Sequence, residues 1–129
     1  MSEGAIVSAA VLPHGGIAVE RWCPPEERDL AAATRAAAER VGEAVRAARP
    51  DVIVVLTPHN VHVEGHLAVV TAARHVGSLE ESYEPVELAV DNDLELAAAV
   101  LAAFGHAGVP ALGVSFGCLL YTSPSPRDS

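Results

Sequence analysis

The sequence predicts an α/β fold, with a mostly parallel sheet and helices on both faces. Two runs that are apolar at nearly every position, residues 5–12 and 51–57, have the composition of strands covered on both sides. A segment with a helical apolar stripe separates them, and the order strand–helix–strand predicts a right-handed βαβ unit. The chain has 129 residues, which favours one domain over two.

The first half of the chain provides the predicted βαβ unit. The strand of residues 5–12 is followed by a loop, residues 14–23. The helix opens at residues 24–27, PPEE, because proline is tolerated and acids are favoured in a first helical turn. Pro50 closes it before the second strand, residues 51–57. Apolar residues at helical spacing form its buried stripe: Leu30, Ala33, Ala37, Val41, Ala44, Val45 and Ala48.

The second half predicts another helix and three short strands, at residues 67–72, 86–90 and 111–116. Residues 74–84 are polar and contain a glycine, so we expect a loop there. Asn92 is the predicted N-cap of the helix, with Glu95 three residues on as in a capping box. Gly105 is the predicted end of that helix.

The composition excludes several classes of partner. Seventeen acidic and eight basic residues give a net charge of −9, and the basic residues are not clustered. Nucleic acid and anionic membranes are therefore not expected partners. No basic, apolar leader or bilayer-length apolar run is present, so we expect a cytoplasmic protein. Its two cysteines form no CxxC motif, and self-association as a homo-oligomer stays open.

The character of the sequence changes after Gly117. Residues 118–129, CLLYTSPSPRDS, resemble the translation of a transposon-type sequencing adapter, and we expect them to be non-native; an ordinary disordered tail is the alternative. The predicted strand at residues 111–116 would then lack the helix that normally covers it. We therefore expect residues 1–117 to be the N-terminal part of a domain, truncated before its C-terminal part.

Two histidines follow the two strands of the predicted βαβ unit. His14 stands between Pro13 and Gly15-Gly16, and His59 stands between Pro58 and Asn60. Parallel strands end at one edge of the sheet, which is where open α/β sheets bind ligands. Neutral imidazole is a common ligand of divalent iron, zinc and copper. The alternative is that each histidine is a hydrogen-bonded residue at the end of a strand.

The pattern AAVLPHGG, followed by RPDVIVVLTPHN, resembles the amino-terminal half of class III extradiol ring-cleavage dioxygenases. The resemblance covers residues 5–117 and implies extradiol cleavage of a catechol-type ring with O₂. It further implies non-haem Fe(II), with zinc as the alternative metal, held by two histidines and a carboxylate. His14 and His59 match the two histidine ligands.

The resemblance also implies residues that the chain does not supply. The family's glutamate ligand and its acid–base histidine match no position up to Gly117, so we expect both beyond it and expect this chain to be inactive as it stands. Gly15, Asn60 and His62 are candidates for the substrate pocket. A glycine allows close approach of the backbone, and the two polar side chains lie beside the second ligand.

A second pattern favours different chemistry. GVSFG at residues 113–117 matches G-x-S-x-G after a predicted strand, and residues 14–16 resemble the HGG of an esterase oxyanion loop. Together they suggest a serine hydrolase with Ser115 as nucleophile. That hypothesis requires a helix directly after Gly117 and leaves His59 unexplained. A non-catalytic relative of the dioxygenase fold is the third hypothesis.

Overall fold

The computed structural model describes residues 3–13, 16–79 and 86–115. Two of the candidate site residues, His14 and Gly15, and the tail of residues 118–129 lie outside this range. The chain divides into two units, which are described separately. The first contains described residues up to Val54, and the second contains described residues from Val55 onwards.

Helix α1 (Ala32–Ala48) is the longest element of the first unit. It begins later than predicted, because the 3₁₀ turn Pro25–Glu27 occupies the expected first helical turn. Two further 3₁₀ turns precede it, Gly16–Ala18 and Glu20–Trp22. The predicted end is confirmed: Arg49 adopts a left-handed conformation with φ 48°, and Pro50 cannot continue the helix.

The two predicted strands of the βαβ unit are wrong. Residues 5–12 and 52–57 have no regular secondary structure. Their apolar side chains are exposed, with Ile6 at 90%, Val11 at 98% and Leu56 at 89%. An apolar run becomes a strand only where a neighbouring backbone pairs with it, and composition does not specify that neighbour.

The second unit confirms the α/β class. Its described residues form the strands and helix β1 (Leu67–Val70), β2 (Arg74–Leu79), β3 (Val86–Asp91), α2 (Leu94–His106) and β4 (Ala111–Val114). Strands β1 and β4 are parallel, and α2 packs against both. A parallel pair needs such a crossover connection, because no tight turn can join strands that run in the same direction. Neither α1 nor α2, in the part of the chain described, is long and apolar enough to cross a bilayer.

Strands β2 and β3 form an antiparallel pair in the second unit. The predicted loop of residues 74–84 is therefore wrong for its first six residues, which form β2. Opposite positions hold Arg74 and Asp91, whose Nε and Oδ1 atoms lie 3.3 Å apart. The two side chains are 62% and 89% exposed, so this ion pair contributes at most about 1 kcal/mol.

The N-cap of α2 is Asp93, and the prediction of Asn92 is wrong by one residue. The Asp93 carboxylate accepts a hydrogen bond of 2.9 Å from the backbone N–H of Leu96. The Asn92 amide instead donates to the carbonyl oxygens of Val70 and Ala72, both at 2.9 Å. Asn92 therefore ties the end of β1 to the start of α2, a role that an aspartate cannot fill, because a carboxylate has no proton to donate.

Asn92→Asp is expected to destabilise the protein at least as much as Asn92→Ala. Either change leaves two carbonyl oxygens without their donor, at a cost of roughly 1–3 kcal/mol. Asp93→Asn is the matched control and should change stability by only a few tenths of a kcal/mol, since both residues cap helices well. Urea unfolding followed by circular dichroism measures all three. Tolerance of Asn92→Asp together with damage from Asp93→Asn would show that the two roles are assigned wrongly.

Gly113 of β4 is required by packing. A Cβ atom at this position would lie 3.0 Å from Thr71 Cγ2 and 3.5 Å from Leu101 Cδ1. Thr71 cannot easily move, because its backbone N–H and its hydroxyl both donate to the carbonyl oxygen of Val114, at 2.7 and 3.0 Å. The first glycine of the GVSFG pattern therefore has a structural explanation that involves no catalysis.

Gly113→Ala should lower the free energy of unfolding by about 1–3 kcal/mol through overpacking. Adding Thr71→Ser removes Cγ2 and keeps the hydroxyl, so the double variant should recover part of that loss. Gly105→Ala is the control: nothing lies within 4 Å of its added Cβ, and alanine favours a helix by up to about 1 kcal/mol. Strict additivity of the Gly113 and Thr71 changes in thermal or urea unfolding would contradict the contact.

Candidate functional site

His59 is the predicted metal ligand that the structure describes. It follows the irregular apolar run of residues 52–57, and its ring is half-buried. The backbone N–H of His59 donates to Thr57 Oγ1 at 3.2 Å, across Pro58. This short turn and the fixed φ of proline restrict the direction in which the chain leaves the run. His59 is thus partly accessible at a locally constrained position, as a ligand must be.

The residues after His59 form an irregular loop that leads into β1. Asn60 is half-buried and His62 is exposed. His66 Nδ1 lies 3.0 Å from the carbonyl oxygen of Glu64, and the tautomer that carries a proton on Nδ1 donates to it. Gly65 enables the turn with φ 73°. The His66 ring therefore bonds to its own loop, and Asn60 and His62 remain the pocket candidates of this segment.

The described residues do not complete a metal site. Within residues 3–13, 16–79 and 86–115, no three side chains among His, Cys, Asp and Glu come together as ligands of one ion. His14 and Gly15 are outside these ranges, so whether His14 approaches His59 stays a prediction. The donor chemistry of His59 fits a divalent metal as one ligand. A stable centre requires donors in addition to it.

Cys23 and its neighbour Trp22 fit a structural role. The Cys23 side chain is fully buried, at 0% exposure, and the thiol is free of any disulfide. Its backbone N–H donates to the carbonyl oxygen of Glu20 at 3.1 Å, which closes the second 3₁₀ turn. Of the two roles considered for this loop, pocket wall or packed anchor, burial favours the anchor.

Ser115 lacks the strain expected of a hydrolase nucleophile. It follows β4 in a bend and is exposed. The serine of a nucleophile elbow sits on a sharp, strained turn between strand and helix. Arg49 is the one non-glycine residue with a positive φ in the described ranges, so Ser115 does not adopt that unusual backbone region. Residues 116 and 117, where the required helix would begin, lie outside the described part.

An α/β chain that presents a partly exposed imidazole beside an apolar run is of the general kind used by metal-dependent enzymes. Comparison with known families makes the class specific. The family model of the catalytic LigB subunit of aromatic ring-opening dioxygenase matches residues 8–120. The chain belongs to this family. No curated protein and no solved structure matches the chain.

Family membership confirms the predicted resemblance and the coarse function. The chain is a member of a family of dioxygenases, which are oxidoreductases that open aromatic rings with O₂ and depend on a metal. The match includes both Pro-His pairs and extends three residues into the segment 118–129. It also favours the dioxygenase over the serine hydrolase, because one family model accounts for the region of both patterns.

Proposed function

We propose that this chain is part of a non-haem Fe(II)-dependent enzyme that cleaves a catechol-type ring by extradiol chemistry. The observation that carries the proposal is the family match over residues 8–120, which spans both Pro-His pairs. Its substrates would be a catechol-type aromatic and O₂. A cytoplasmic location and a site free of nucleic acid and membrane stay predictions that follow from composition.

His14 and His59 would hold the metal. Both are imidazoles, which suit divalent iron and zinc alike, and each must be unprotonated at the coordinating nitrogen to bind. A bound Fe(II) would supply Lewis acidity and a template that brings the catechol oxygens and O₂ together. The half-buried setting of His59 favours this role, because a ring that is partly shielded from water loses less of its binding strength to competing solvent.

The chain's own residues would bind and orient the aromatic substrate. Asn60 directly follows the ligand and is half-buried, so its amide can donate to one catechol oxygen and accept from the other hydroxyl. His62 is exposed and would act from the rim of the pocket. Gly15, beside His14, would let the backbone approach the ring because it has no side chain.

Two functions remain unassigned within residues 1–117. The carboxylate ligand and the acid–base histidine of the extradiol pattern match no residue there, and Glu64 is exposed with no second donor beside it among the described residues. We propose that residues 1–117 are an N-terminal portion of the catalytic domain and that residues 118–129 are foreign to it. Turnover would then require residues beyond those 117.

His59→Ala should weaken binding of Fe(II) or Co(II) by more than about tenfold, since even an outer partner of a metal ligand is worth roughly 10–100-fold in affinity. His14→Ala should have the same effect. His106→Ala is the control, because this exposed residue ends α2 far along the chain from either motif. Anaerobic calorimetry or cobalt absorption measures the affinity. Equal affinities for the wild type and His59→Ala would sink the assignment.

The metal-loaded chain should bind 4-nitrocatechol, with a shift of its visible absorption, and should bind 4-nitrophenol much more weakly. A single hydroxyl cannot make the two contacts that a catechol makes. Asn60→Ala should raise the dissociation constant for the catechol several-fold and leave metal affinity unchanged. If the shift needs no metal, the dioxygenase proposal fails. Loss of p-nitrophenyl ester hydrolysis in Ser115→Ala would instead favour the hydrolase.

A further inference from the structure

The apolar run Val52–Leu56 is exposed to solvent along its whole length. Val52 is 42% exposed, Ile53 67%, Val54 64%, Val55 66% and Leu56 89%. Isolated exposed apolar residues are common, but a contiguous run is not, and contiguous apolar patches mark interaction sites. None of these residues belongs to a strand of the structure. Their backbone groups are thus not engaged in a sheet.

The composition of this run specifies what can cover it. Four of its five residues are β-branched, and none is charged, glycine or proline. Such segments favour pairing with another strand, and two identical copies match in length and side-chain character. Pro50 and Pro58 lie just outside the run and limit pairing to the residues between them, because proline cannot donate to a ladder.

We propose that two copies of this chain associate by pairing their Val52–Leu56 segments as β-strands. The proposal is independent of the dioxygenase function. Five side chains exposed to this degree offer on the order of 400 Å² of apolar surface, within the range of functional patches. A stable interface uses about 800 Å² from each partner. The second uncharged run, residues 5–12, is also exposed, with Ile6 at 90% and Val11 at 98%, and can supply the remainder.

Charge favours a like copy at high salt over a basic partner. Each copy carries a net charge of −9, so two copies repel at long range, whereas the pairing segment itself carries no charge. Salt screens that repulsion and strengthens apolar association. Association with a basic protein or peptide would weaken as salt rises. The salt dependence therefore separates these two kinds of partner.

Light scattering after size-exclusion chromatography tests the proposal on the 129-residue chain. The monomer mass is 13.3 kDa. We expect the apparent mass to reach at least twice that value at high protein concentration and to rise further with salt. Val54→Lys should raise the apparent dissociation constant at least about tenfold, because it places a charge within the paired strand. Val76→Lys is the matched control: Val76 is 56% exposed, but its strand β2 is already paired.

A second measurement keeps the test valid if Val54→Lys fails to fold. In the unmodified chain, the backbone amides of Val52–Leu56 should exchange hydrogen more slowly at high than at low protein concentration, whereas those of β2 should not change. A monomer at every concentration would overturn the proposal. So would an oligomer that Val54→Lys leaves intact, one that Val76→Lys disrupts equally, or one without slowed exchange in the run.

Discussion

The parallel pairing of β1 with β4 is the interaction on which the described α/β architecture depends. Two strands that run in the same direction require a long connection, and the chain supplies one that contains α2. At the carboxyl end of the pair, Thr71 donates twice to the carbonyl oxygen of Val114. Asn92 holds the same end of β1 through its amide. The absence of a side chain at Gly113 lets these parts approach one another. Few apolar groups need to be buried when the register is fixed by so many hydrogen bonds at one edge.

Local patterns predicted the elements that depend on local interactions. The stripe and the terminal proline placed α1 correctly at its carboxyl end, and the short apolar runs at β1 and β4 were confirmed as strands. The failures involve distant partners. Residues 5–12 and 52–57 are more apolar than β2, yet β2 is a strand because β3 pairs with it. Pairing is decided by which backbones meet, and no property of a single run encodes that meeting.

The candidate site divides along the same line. A histidine after Pro58 at the end of an apolar run could be predicted from nearby residues, and the structure places His59 in a constrained, half-buried position. Convergence of several donors on one ion is a property of the whole fold, and the described residues do not determine it. The family match supplies information of the other kind, because it compares the order and spacing of residues across positions 8–120. It identifies an aromatic ring-opening dioxygenase without identifying the metal or the ring.

The proposed pairing surface and the proposed metal ligand meet at residue 57. The pairing segment Val52–Leu56 ends directly before the Thr57–Pro58–His59 turn, so ordering the segment also restricts the backbone that carries the imidazole. A ligand that is held in place loses less conformational entropy when it binds than one that must be ordered at that moment. Association of two copies would therefore strengthen metal binding at His59. Linkage then requires the reverse effect by the same factor: a bound metal must strengthen association between copies. Metal-independent association would place the pairing surface and the ligand in separate, uncoupled parts of the molecule.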